Sequence, residues 1–251
     1  MIYTPELIKE VAPSIFATSY SDKLSNKYAF VPTDQVIEFF DREGWKVSSV
    51  RQNGKGIHAL HEVKFRNNQL PNVGDTLVEA IVRNSHNGTS GFSLGAGLYR
   101  LVCSNGLVVP TSVSEKFNIR HKSFTLDEVK ELTESFSKKL PKIETSVSRM
   151  MQKVLTTDEQ IEFVEKASKY RWATGSVPST LNFDEILTPN RVEDNESTLW
   201  NTFNVVQEKF VRGGVGYKTK TGRTANLRSL KNIVSLNYVN SKLWETAESM
   251  L

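Results

Sequence analysis

Hydrophobic residues are spaced in two different ways along this chain, and the change falls near residue 125. Ahead of it, WKVSSVRQ (45–52), IHALHEVKFR (57–66) and TLVEAIVRNS (76–85) mix β-branched, aromatic and polar residues at the period of a half-buried strand. The intervening NGKG and NNQLPNVGD are hairpin and turn chemistry. The stretch 84–110, NSHNGTSGFSLGAGLYRLVCSNGLVVP, supplies a fourth strand and room for a fifth. PTDQVIEFFDREGW precedes the strands and predicts a short helix. Thr33 is its expected N-cap, Val36, Ile37, Phe39 and Phe40 its apolar face, and Gly44 its stop.

From Thr125 the apolar steps become three, four or seven residues: Val129, Leu132, Phe136, Leu140, Ile143, Val147, Val154. That predicts a long amphipathic helix opened by a Thr125/Glu128 capping box, with Pro141 expected to kink or divide it. A second box, Thr157 with Gln160, opens a helix to about Tyr170. TGSVPSTLNFDEILTP reads as a loop, STLWNTFNVVQEKFV as a helix, and GGVGYKTKTGRT as a glycine-rich break. A last helix carries Leu230, Ile233, Leu236, Val239 and Leu243. The predicted class is α+β: an antiparallel, hairpin-rich sheet in residues 1–124 packed with a long helix, then a helical region, 125–251. It is read as one continuous domain.

Composition narrows the function. A hydrophobic content of 38% with 24% charge belongs to a soluble globular chain, and no eighteen-residue apolar run predicts a membrane span. The N-terminal stretch MIYTPELIKEVAP lacks the basic-then-apolar order of a secretory signal. One cysteine, Cys103, and four histidines exclude an internal disulfide and a thiolate metal cluster, which points to the cytosol. The net charge of +4 leans toward polyanions. It is concentrated: within 209–231 every charged side chain is basic, namely Lys209, Arg212, Lys218, Lys220, Arg223, Arg228 and Lys231. Acidic residues dominate 153–208, densest at VEDNE.

Catalytic signatures are weak. GYKTKTGRT lacks P-loop spacing and GAGLYR lacks the third glycine of a dinucleotide fingerprint. No GxSxG elbow occurs, and Cys103 sits in an apolar run that favours a buried structural thiol. A non-enzymatic protein without cofactor or metal is therefore expected. Binding chemistry is richer. Arg83, Asn84, Ser85, His86, Asn87, Thr89 and Ser90 form a dense donor set with Gly88 and Gly91, suited to phosphate and sugar contacts. The same residues are equally good turn chemistry. Arg100, Arg120, His121 and Lys122 add positive charge. In VRGGVGYKTKTGRTANLR, basic residues could track a strand backbone while Tyr217 stacks on a base.

KYAFVPTDQVIEFFDREGW, the NSHNGTSG tract with AGLYRLVCSNGLVV, and LWNTFNVVQEKFVRGG with NYVNSKLWETAE resemble the phage and plasmid-like family catalogued as domain of unknown function 932. The resemblance runs from about Lys27 to the end. It implies an accessory protein of a mobile element, acting in the cytoplasm of a bacterial host, and names no catalytic residues. The order of helix, hairpin-rich sheet and long helix is also similar to the core of single-strand annealing recombinases, a likeness of fold order alone. The expected function is non-enzymatic DNA binding, single-stranded over double-stranded, assisting recombination or replication, with homo-oligomeric assembly. The expected contacts are Arg83, Asn84, His86, Arg100, Arg120, Lys122, Lys218, Lys220, Arg223 and Arg228. The alternative is a counter-defence protein that binds a host defence factor or a small anionic signalling nucleotide at the His86–Asn87 tract. A third, a metal-dependent hydrolase, needs Glu62, Asp75 and Glu79 to converge.

Overall fold

The alternating runs become strands β1 (Lys46–Asn53), β2 (Leu60–Arg66) and β3 (Thr76–Asn84) in the computed structural model of the chain. It describes residues 3–68, 72, 76–100, 106–109, 126–172, 177–219 and 221–251. With β4 (Ser93–Arg100) and β5 (Gly106–Val109) they form one antiparallel sheet in sequence order, β1-β2-β3-β4-β5. Short connections between consecutive strands dictate that order. The observed class is α+β, as the spacing predicts.

One face of the sheet is apolar. Val50, Val63, Phe65, Ala80, Val82, Leu94, Ala96 and Leu98 share it by strand alternation and are buried. The helices α1 (Pro5–Val11) and α2 (Thr33–Arg42) precede β1, joined by a 3-10 turn, Pro13–Phe16. Phe40 of α2 stacks on Phe65 at 4.4 Å between ring centroids. Gly44 ends α2 as predicted, with φ at 82°. The Gly44 N–H donates to Asp41 O and the Trp45 N–H to Phe40 O, and the Trp45 ring packs edge-on against Phe40. That is the Schellman arrangement with its hydrophobic contact. Thr33 departs from expectation: Pro32 occupies the cap, and Thr33 opens the helix with its hydroxyl turned into the core.

Helix α3 spans Leu126–Gln152 and passes through Pro141 without ending; its expected cap, Thr125, lies outside the described residues. The chain divides into two compact units, Met1–Pro141 and Lys142–Leu251. The second contains α4 (Thr157–Arg171), α5 (Phe183–Leu187), α6 (Leu199–Arg212), a hairpin of β6 (Gly216–Lys218) and β7 (Thr224–Asn226), and α7 (Ile233–Ser249). The α4 capping box is Thr156 with Glu159, one residue before the expected pair, because Gln160 points inward and donates to Thr202 Oγ1 at 2.9 Å. Phe203 is the aromatic hub, with Trp200 at 5.7 Å, Trp244 at 6.1 Å and Phe163 at 6.3 Å. Gly213 ends α6 at φ 82°, and a Cβ there would lie 2.2 Å from Leu227 O. Only glycine lets the chain after α6 run that close to the strand leaving β7.

Candidate functional site

The polar tract at the end of β3 turns inward. His61 on β2 is fully buried, with Ser14 Oγ at 2.8 Å and Ala59 O at 3.1 Å from Nδ1, and Thr33 Oγ1 at 2.9 Å from Nε2. Asn84, opposite His61 in the register, donates from Nδ2 to Thr33 Oγ1 and to Val31 O, each at 3.0 Å. The carbonyl at Nδ1 and the hydroxyl at Nε2 assign the proton to Nδ1, so Thr33 donates to Nε2 while accepting from Asn84. Residues 20–31 lie over the tract. Ser21 N–H donates to His86 O, Tyr28 Oη donates to Ser85 O at 2.7 Å, and the Phe30 ring sits 4.7 Å from His86. Burial pushes the Tyr28 phenol up to about 12. Asn84, Ser85 and His86 have no exposed surface. Direct nucleic-acid contact by Asn84 or His86 is therefore corrected: their side chains are enclosed by the fold.

Burial, and the neighbouring His86, hold His61 down at about 3 from a usual value of 6.5. The unfolded chain takes up a proton below pH 6.5 that the folded chain refuses, so the His61 contribution is complete above that pH and is lost as pH falls toward 3. Urea unfolding of wild type against His61→Gln is expected to show an extra loss of about 1.4 kcal/mol per pH unit in wild type across that window. Parallel pH profiles for the two proteins would refute this.

The opposite sheet face is charged. Strand period places Glu62, Lys64 and Arg66 of β2 together, beside Glu79 and Arg83 of β3. Arg83 Nε donates to Glu62 Oε2 at 2.7 Å and Arg66 Nε to Glu79 Oε1 at 2.8 Å, each a cross-strand pair in register. A bulge at Ser48 lets its hydroxyl donate to Glu79 Oε1 at 2.9 Å. Arg66 also lies over the Tyr99 ring, 3.5 Å from its centroid. Glu62 and Glu79 are each 1% exposed. Their engagement with cations leaves them poorly suited to the hydrolase reading; Asp75 is outside the described residues, among which no cluster of metal-ligating side chains occurs. A cavity of about 430 Å³ opens on this face, bordered by Lys46, Arg51, Lys64, Arg66, Glu79 and Tyr99. The stripe Glu62-x-Lys64-x-Arg66 was its visible signal, and such a stripe ordinarily marks a solvated face.

The second unit carries the basic segment. The break expected at GGVGYKTKTGRT is the β6–β7 hairpin. Tyr217 packs edge-on against Trp172 at 6.0 Å. Thr180 Oγ1 accepts from the Lys218 N–H at 2.8 Å. Lys218, Arg223 and Arg228 are exposed, whereas Arg212 pairs with Glu208 at 3.2 Å and Lys209 donates to Asn190. Burial raises the Glu208 carboxyl, but the Arg191 fork and the Arg212 charge outweigh it and hold the group below its ordinary value. Arg120, Lys122 and Lys220 lie outside the described residues, as does the Arg100 side chain. Of the expected contacts, Asn84 and His86 turn inward at the end of β3, Arg83 lies on the opposite, charged face with Glu62, and Lys218, Arg223 and Arg228 belong to the hairpin region of the other unit.

A family model described as a domain of unknown function (DUF932) matches residues 22–234. The chain belongs to this family. It is 29% identical over 254 aligned residues to "UPF0380 protein YafZ" of Escherichia coli K12, covering 99% of this chain and 91% of that protein. "UPF0380 protein YfjQ" of the same organism is 28% identical with the same coverage. No solved structure matches the chain. The DUF932 match spans the tract, the charged sheet face and the basic hairpin. No helix among the described residues is long and apolar enough to cross a membrane.

Proposed function

We propose that this DUF932 member is a non-enzymatic DNA-binding protein of a phage or mobile element, preferring single strands and assisting recombination or replication. The observation that carries the reading is free charge: Lys218, Arg223 and Arg228 are exposed and form no ion pair among the described residues. Phosphate contacts release counterions only where the cation is not already neutralised by a carboxylate. Arg83 is so neutralised, by Glu62. The reading therefore rests on the hairpin side of the expected contact set. Preference for single strands follows from Tyr217 and Trp172, partly exposed rings beside these cations, since only unpaired bases offer faces for stacking.

Fluorescence anisotropy with labelled single- and double-stranded DNA across a salt series tests the proposal. Single strands are expected to bind more tightly, with affinity falling as salt rises. The triple change Lys218→Ala, Arg223→Ala, Arg228→Ala removes surface charge without touching the core. It is expected to reduce the log–log salt slope by about 2, from ~0.7 per phosphate contact. Absence of DNA binding at low salt, or a triple variant that binds like wild type, would overturn it.

A further inference from the structure

Lys64 holds an unusual position. Its side chain is 6% exposed, and its ion-pair partner, Glu79 Oε2, lies 3.7 Å away, beyond hydrogen-bonding distance. Among the described residues its ammonium, with three N–H donors, makes no hydrogen bond. Glu79 Oε2 is buried and receives none either. Glu79 Oε2 is thus enclosed without a hydrogen bond, while the Lys64 ammonium beside it keeps its donors for a guest in the cavity. Both belong to residues bordering the cavity on the charged sheet face.

The rest of the lining says what would meet these donors. Lys46 is held by Asp41 at 2.7 Å and Arg66 by Glu79 at 2.8 Å, which leaves Arg51 and Lys64 as the cations that favour an anionic guest. Its volume of about 430 Å³ suits a small molecule. Gly97 stands opposite Glu79 in the register, and a Cβ on Gly95 would meet nothing within 4 Å, so β4 leaves open space over this face. The Arg66–Tyr99 stack adds a guanidinium plane with 26% of the Arg66 side chain exposed, a surface on which nucleobases commonly lie.

We propose that this cavity binds a nucleotide, with a phosphate oxygen accepting from Lys64 Nζ and Arg51, and the base against Arg66. This site is distinct from the hairpin cations of the DNA-binding reading and requires neither that reading nor the buried His86 tract.

Calorimetric titration of the full chain with AMP, GMP, CMP and UMP, each at up to millimolar concentration, tests the site. At least one is expected to bind one-to-one. Lys64→Met, which keeps the stem and leaves Arg66 and Ser48 on Glu79, is expected to weaken it at least tenfold. Arg51→Gln, at an exposed side chain, is expected to weaken it severalfold and decides the matter alone if Lys64→Met fails to fold. The proposal is overturned if none of the four binds, if Arg51→Gln binds like wild type, or if ribose 5-phosphate or inorganic phosphate binds as tightly as the nucleotide. The Lys218/Arg223/Arg228 triple variant is expected to retain nucleotide binding, and Arg51→Gln to retain single-stranded DNA binding, so either reading can fail without the other.

Discussion

Replacing Glu79 with alanine is expected to lower the stability of the folded chain by about 3–5 kcal/mol, the usual consequence of removing one partner from a buried ion pair. Glu79 is 1% exposed and lies within ion-pairing distance of both Arg66 and Lys64, with the Ser48 hydroxyl on the same carboxylate. Its loss leaves the Lys64 ammonium, 6% exposed, without a countercharge. Arg66, at 26% exposure, retains access to water and suffers less. The signature is the comparison with the double change Lys64→Met, Glu79→Leu, which removes both buried charges and is expected to lose less than Glu79→Ala alone. Equilibrium urea unfolding measures both. A loss under about 1 kcal/mol for Glu79→Ala would mean that the charged sheet face is solvated.

The second large effect lies in the helical unit. Phe203→Ala is expected to cost about 3–5 kcal/mol, the range for truncating a buried aromatic. Phe203 has no exposed surface, and it meets Trp200 in a stacked contact and Trp244 and Phe163 edge-to-face. Truncation removes the ring that these contacts share and leaves a cavity among large, rigid neighbours that close it poorly. Phe203→Leu, nearer in volume, is expected to lose less. Val192→Ala, at a residue 81% exposed, is the matched control and is expected to stay within about 0.5 kcal/mol. If Phe203→Ala unfolds at the same urea concentration as that control, the helical unit does not draw its stability from this aromatic cluster.

Much of the fold was legible from local pattern. Apolar spacing and helix-end chemistry place β1 to β3, α2 with its Gly44 stop, α6 and α7 within a few residues of their observed bounds. The cap of α4 slipped by one residue because Thr156–Glu159 and Thr157–Gln160 satisfy the same local pattern, and a side chain on α6 chose between them. The β6–β7 hairpin escaped notice because strands of three residues contain too few positions to display alternation.

The candidate sites divide along the same line. The α+β order, the family and the run of exposed cations in the basic segment could be read from the chain alone, since each depends on neighbours in sequence. Folding was needed to turn Asn84 and His86 inward and to bury Lys64 beside Glu79. Ser14 and His61 are 47 residues apart, Thr33 and Asn84 51, and Tyr28 and Ser85 57. A donor-rich tract looks the same in sequence whether its partners are phosphates or distant backbone carbonyls. Which partner it takes is settled when the chain closes over it, because a buried polar group must find its hydrogen bond within the fold.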